Sequence, residues 1–159
     1  MKFNVISIVI VVLVLLGVSC TGSDDICLSG QMSATTGFYS NRSSTETTDK
    51  DTTINMRVLG LHPRIDSSHQ EVSTNGIFLP LSMESDSTIF ELFKDGIGET
   101  VVFYHEKELA YVSEECGFIF HFTINSVKYT DTKYIARIEI ADKEVSYNKG
   151  TENVKIYID

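Results

Sequence analysis

From residue 33 to the C-terminus, apolar and polar side chains alternate with a period of two, and the three-to-four spacing of a helix face is nearly absent. Ile54, Met56 and Val58 alternate with Asn55 and Arg57, the pattern of a half-buried strand. Residues 33–39 read as a first strand, and residues 41–53, which hold no apolar side chain, as a solvated loop. Residues 59–75 contain Pro63 and a polar tail and read as a long connection. Residues 77–81 make a short strand whose Pro80 lacks an amide donor, which marks a sheet edge or a bulge.

Residues 88–93 fit two templates. Ile89 and Phe93 would share a helix face, or the segment would pair with residues 99–105 through Asp95-Gly96-Ile97-Gly98. The two glycines and the β-rich run beyond them favour the hairpin. Residues 109–113 read as another strand. Residues 117–124 are apolar on both faces except for His121 and Thr123, so they are expected centrally in a sheet. Residues 134–141 and 154–158 finish the chain, joined by a polar loop through Asn148-Lys149-Gly150. Eight or nine strands with short turns, and no helix long enough to cover a sheet face, predict an all-β, mostly antiparallel domain. Its expected form is a two-sheet β-sandwich over residues 33–159, with a β-barrel as the alternative.

The first nineteen residues follow another pattern. After Lys2 comes an apolar run over residues 5–18, too short for the ~20 apolar residues of a spanning helix and suited to a signal peptide. Leu16-Gly17-Val18-Ser19-Cys20 resembles a bacterial lipobox, with Gly17 standing where a large aliphatic residue is usual. That resemblance implies cleavage before Cys20 and lipid attachment to it, and several acyl chains give stable anchoring. Residues 1–19 are thus expected to be a lipoprotein signal peptide, and residues 20–32 the lipidated Cys and a short acidic tether. Thr21-Gly22-Ser23-Asp24-Asp25 resembles a surface-export signal of Bacteroidota lipoproteins, so the outer membrane is the expected address, on its periplasmic face or the cell surface.

With Cys20 lipidated, Cys27 and Cys116 remain, the number one disulfide needs in an exported chain. In the loop-entropy account a bridge closing ~90 residues contributes roughly 4–5 kcal/mol. Two buried thiols and a metal pair are the alternatives. The scattered His62, His69, His105 and His121 give no metal spacing.

The chain has 13 basic and 22 acidic side chains and a formal net charge of −9, which repels DNA and RNA. No cofactor motif is present and no catalytic constellation stands out. Gly-x-Ser-x-Gly is missing, neighbouring Glu114 and Glu115 would point to opposite faces of a strand, and Thr48-Asp49-Lys50-Asp51 has no Gly for a calcium loop. Seven Tyr in a Trp-free chain suit a binding face, although Tyr is equally a good strand residue.

Four segments carry a wider resemblance: Asp24-Asp25-Ile26-Cys27, Leu79-Pro80-Leu81, residues 111–118 (YVSEECGF) and residues 152–157 (ENVKIY). Together they resemble an uncharacterised family of small Bacteroidota cell-envelope lipoproteins, over essentially the whole mature chain. The resemblance implies an all-β envelope lipoprotein, pairs Cys27 with Cys116, and brings no activity. Asp51-Thr52-Thr53 and Asp86-Ser87-Thr88 also resemble O-glycosylation sites of that lineage, at Thr52 and Ser87. The expected function is a non-enzymatic binding or assembly module held at the membrane by lipid, meeting an envelope protein or a glycan. A small envelope hydrolase and an accessory subunit of an envelope complex are the alternatives.

Overall fold

The computed structural model describes residues 32–41, 52–61, 69–114, 116–130, 133–147 and 149–159. The expected signal peptide (residues 1–19) and most of the expected tether therefore lie outside the described residues, as do residues 42–51 of the polar loop. Ten strands are found: β1 Ser33–Ser40, β2 Ile54–Gly60, β3 His69–Thr74, β4 Gly76–Pro80, β5 Ser87–Lys94, β6 Ile97–Ser113, β7 Gly117–Tyr129, β8 Ile135–Ile140, β9 Glu144–Val145 and β10 Val154–Ile158. They make a four-stranded sheet in the order β4-β1-β10-β8 and a six-stranded sheet in the order β3-β2-β5-β6-β7-β9. Each sheet keeps its own edges, so the all-β sandwich is the observed form and the barrel is not.

Among the described residues the ladders are antiparallel except one. β1 runs parallel to β10, with Thr36 opposite Val154 and Ser40 opposite Ile158. A parallel pair needs a long crossover, and here most of the domain supplies it, with no helix among the described residues.

The core follows from the period of two. Ala34 and Phe38, Ile77 and Leu79, and Val154, Ile156 and Ile158 turn inward from the four-stranded sheet; all are buried. Met56, Val58, Phe90, Leu92, Val101, Phe103, Phe122 and Ile124 meet them from the six-stranded sheet in one cluster. Burying a side chain of this size stabilises by about 1.5–3 kcal/mol. Phe90 and Phe103 meet edge-on at 5.9 Å between ring centroids. Asn153 ties the two sheets together: it accepts the Thr35 N–H through Oδ1 at 3.0 Å and donates through Nδ2 to the carbonyls of Asp142 and Glu144.

Four expectations change. The connection over residues 59–75 contains a strand, β3, which pairs with β2 and forms a sheet edge. Its sequence, HQEVST, has little apolar alternation, because an edge strand can be held by backbone hydrogen bonds. The strands expected at 99–105 and 109–113 are one continuous β6 of 17 residues. Glu106 and Glu108 between them are exposed, so their charge costs the strand nothing. With β3 and β9 added and β6 unified, there are ten strands among the described residues rather than eight or nine. Lastly, β7 is not central: beyond it lies only two-residue β9, joined at Phe122 and Thr123.

The β5–β6 hairpin is confirmed, with the two-residue turn Asp95-Gly96. Both turn residues have positive φ, 51° and 77°, as a type I′ turn requires. Pro80 ends β4 at the edge of the smaller sheet, where its missing donor is harmless. No helix among the described residues is long and apolar enough to cross a membrane.

Candidate functional site

Two surfaces stand out. The first is a groove of about 310 Å³ on the four-stranded sheet, lined in part by Thr35, Gly37, Tyr39, Asn75, Phe78 and Glu152. Because β1 and β10 run in parallel register, Glu152, just before β10, reaches across Gly37 to Tyr39. The Tyr39 hydroxyl donates to the carboxylate, 2.9 Å from Oε1 and 3.1 Å from Oε2. A Cβ on Gly37 would overlap that carboxylate, so glycine is what lets it lie flat on the sheet. Gly76, opposite Gly37 on β4, is similarly confined, since a Cβ there would come 2.7 Å from the Thr36 carbonyl oxygen. Phe78 flanks the groove at 67% exposure.

The same sheet face has a built aromatic layer beside the groove. Tyr39 and Tyr157 lie 5.5 Å apart between ring centroids. The Arg137 guanidinium lies 3.2 Å over the Tyr157 ring, and the Lys155 ammonium 5.1 Å over Tyr39. Arg137 also bridges to Glu139 at 3.1 Å.

The second surface is the far end of the β6–β7 hairpin. Register places Leu109 opposite Phe120 and Tyr111 opposite Phe118. Alternation puts these four on the face that carries His105, Phe122 and Ile124 into the core. That face runs on past the covered region: Leu109 is 54%, Tyr111 58% and Phe118 64% exposed. The Tyr111 and Phe118 rings meet at 5.3 Å. Glu114 and Cys116 lie in the turn at this end, with Gly117 at a φ of 64° and the Cys116 N–H donating to Ser113 Oγ at 3.1 Å.

Of the residues singled out from sequence, Cys116 is placed at this tip. Cys20 and Cys27 lie outside the described residues, so neither the lipid site nor the bridge is placed. Glu114 belongs to the same turn and Glu115 lies outside the described residues. Thr52 and Ser87 are both half-buried. Thr88 beside Ser87 is fully buried, accepting the Ser82 N–H at 2.8 Å.

His105 is a core residue, 1% exposed and edge-on to Phe122 at 5.1 Å. Its Nε2 shares a 2.8 Å hydrogen bond with Thr88 Oγ1, while Nδ1 has no partner. Burial lowers its pKa below the ordinary 6.5, assisted by the charge of Lys107. A neutral imidazole packed in this way holds structure. His121 lies 3.5 Å from the Tyr147 N–H. Among the described residues, no group of three or more His, Cys, Asp or Glu could hold a metal ion.

Sequence reasoning missed the groove. Tyr39 and Glu152 are 113 positions apart, and only Gly37, a glycine inside an otherwise well-filled strand, hints that something approaches its backbone closely. Glu99 was also missed. It is 1% exposed, and its carboxylate accepts the backbone N–H groups of Lys133, Tyr134 and Ile135, fixing the entry to β8.

Residues 55–158 match the model of a family of unknown function. Neither a curated protein nor a solved structure matches the chain.

Proposed function

We propose a binding role for this chain, which belongs to the DUF6452 family of unknown function. In this reading it is a lipid-anchored, non-enzymatic module of the cell envelope, tethered through Cys20 to the outer membrane. A Cys27–Cys116 disulfide fastens the tether to the domain; it is supported by the two cysteines that remain in an exported chain once Cys20 holds lipid. The periplasmic face and the cell surface both suit it.

The observation that carries the binding role is the groove. Its Glu152 carboxylate is pinned by Tyr39 over a glycine, and an exposed Phe78 ring stands at its edge. A fixed acceptor beside an aromatic face suits a polyhydroxylated ligand, which offers hydroxyl donors and C–H faces together. We therefore take a glycan as the ligand. Binding is favoured over hydrolysis because both Glu152 oxygens face the Tyr39 hydroxyl, which holds the carboxylate in place as an acceptor.

The test is retention on an array of envelope glycans, followed by calorimetry on the glycan retained. Phe78→Ala is expected to weaken binding about tenfold, the equivalent of ~1.4 kcal/mol of lost stacking. Glu152→Gln should weaken it as well. If no glycan is retained, or both variants bind like the unaltered protein, the groove is not the site.

A further inference from the structure

We propose that the exposed end of the β6–β7 hairpin rests in the surface of the bilayer, with Leu109, Tyr111 and Phe118 as its membrane contacts. The inference rests on the lipid anchor and the Cys27–Cys116 bridge of the preceding reading, and adds the face of the domain that meets lipid. These three side chains share one sheet face and are all more than half exposed. That face is apolar for two successive cross-strand pairs, the kind of contiguous patch that suits an interaction site.

Chain length says what covers it. Cys20 and Cys27 are seven positions apart. At ~3.3–3.6 Å per residue, plus ~6 Å across a disulfide, the lipidated residue lies within about 30 Å of Cys116. Cys116 closes the hairpin within five positions of Tyr111 and two of Phe118. The other end of the 17-residue β6, at Ile97, is about 53 Å from Ser113 at ~3.3 Å per residue. The lipid therefore holds the apolar tip at the bilayer and the Asp95-Gly96 turn far from it. Tyr111 has the amphipathic ring that suits the headgroup level, and Leu109 and Phe118 have the apolar bodies to go below it.

Charge narrows the lipid. Exposed Glu106, Glu108 and Glu114 flank the tip, and the chain as a whole carries −9. Anionic headgroups would be repelled, so the contact is apolar and prefers a zwitterionic surface.

The chain has no Trp, so Phe118→Trp creates a single reporter at an exposed position. The lipidated full-length protein would be reconstituted in phosphatidylcholine vesicles whose acyl chains are brominated near the headgroup. Side chains seated ~5–10 Å into the headgroup boundary should show blue-shifted emission and roughly half the intensity. Tyr111→Trp is the second reporter, and Ile97→Trp, at the opposite end of β6, should be unquenched. Adding phosphatidylglycerol should not increase quenching at the tip.

Flotation and intact mass of the same samples read the anchor, and a non-reducing peptide map reads the bridge. If lipid or bridge is missing, the preceding reading fails and this proposal falls with it. If both are present and tip indoles stay unquenched, this proposal alone is overturned. A blue shift without bromine quenching would assign the tip to a protein partner or a second copy, and equal quenching at tip and turn would also overturn it.

Discussion

Replacing Glu99 should be among the most damaging single changes to this fold, although nothing in its local sequence marks it. Its carboxylate is 1% exposed and accepts three successive backbone N–H groups at the start of β8. Two of these bonds are fully buried, to Tyr134 at 3.2 Å and Ile135 at 3.0 Å. Glu99→Leu keeps the volume roughly and strands both donors. An unpaired buried donor costs about 1–3 kcal/mol, so two cost about 2–6, offset in part by the apolar replacement. A net loss of about 2–4 kcal/mol follows. The adjacent Tyr134 hydroxyl donates to the Leu92 carbonyl of β5, so loosening this turn also frees a tie to the sheet that holds Glu99. Glu99→Gln keeps one oxygen as acceptor and turns an amide towards the other donor, which places its cost at about 1–3 kcal/mol. Urea unfolding followed by circular dichroism measures both, and hydrogen exchange should show the Tyr134 and Ile135 amides losing protection first. A cost below about 1 kcal/mol for Glu99→Leu, or undiminished protection at those amides, would refute this account.

The buried His105 makes stability depend on pH. Its pKa is lowered in the fold by burial, so the unfolded chain takes up the proton first. This contribution is complete above the unfolded value of about 6.5, declines as pH falls below it, and levels off below the folded pKa. His105→Leu should flatten that part of the urea-midpoint profile between about pH 7.5 and pH 5.5, and an unchanged profile would exclude His105 as the cause. Asn153→Ala should cost about 2–4 kcal/mol, because it leaves the Thr35 N–H unpaired and removes both donors linking the sheets. A thermal shift no larger than that of an exposed Asn→Ala control would contradict this.

What the chain pattern discloses is which face a residue occupies. Ile54, Met56 and Val58 announced β2, and Asp95-Gly96 announced its hairpin, because a period of two and a positive-φ turn are local properties. β3 was hidden because an edge strand of polar residues needs only a backbone ladder. β6 was split because Glu106-Lys107-Glu108 reads as a turn when its two neighbouring strands are assumed to end there. Lys107 in fact pairs with Asp86 at 2.9 Å, at the start of β5, and the strand continues beneath it.

Neighbours are a different kind of information, and both candidate surfaces depend on them. Alternation says that Gly37 and Tyr39 share a face, but it cannot say that Glu152 will lie across them; that follows from a parallel pairing of the two ends of the domain. For the hairpin tip the same limit has the opposite effect. Residues 117–124 read as buried on both faces, and the sequence was right that the residues are apolar. It could not show that the Phe118 ring would be left 64% exposed. An apolar side chain in a strand thus fits a covered position, and alternation alone does not say what covers it. At Phe122 the cover is the core; at Phe118, four residues nearer the turn, it is the bilayer surface in the reading proposed above.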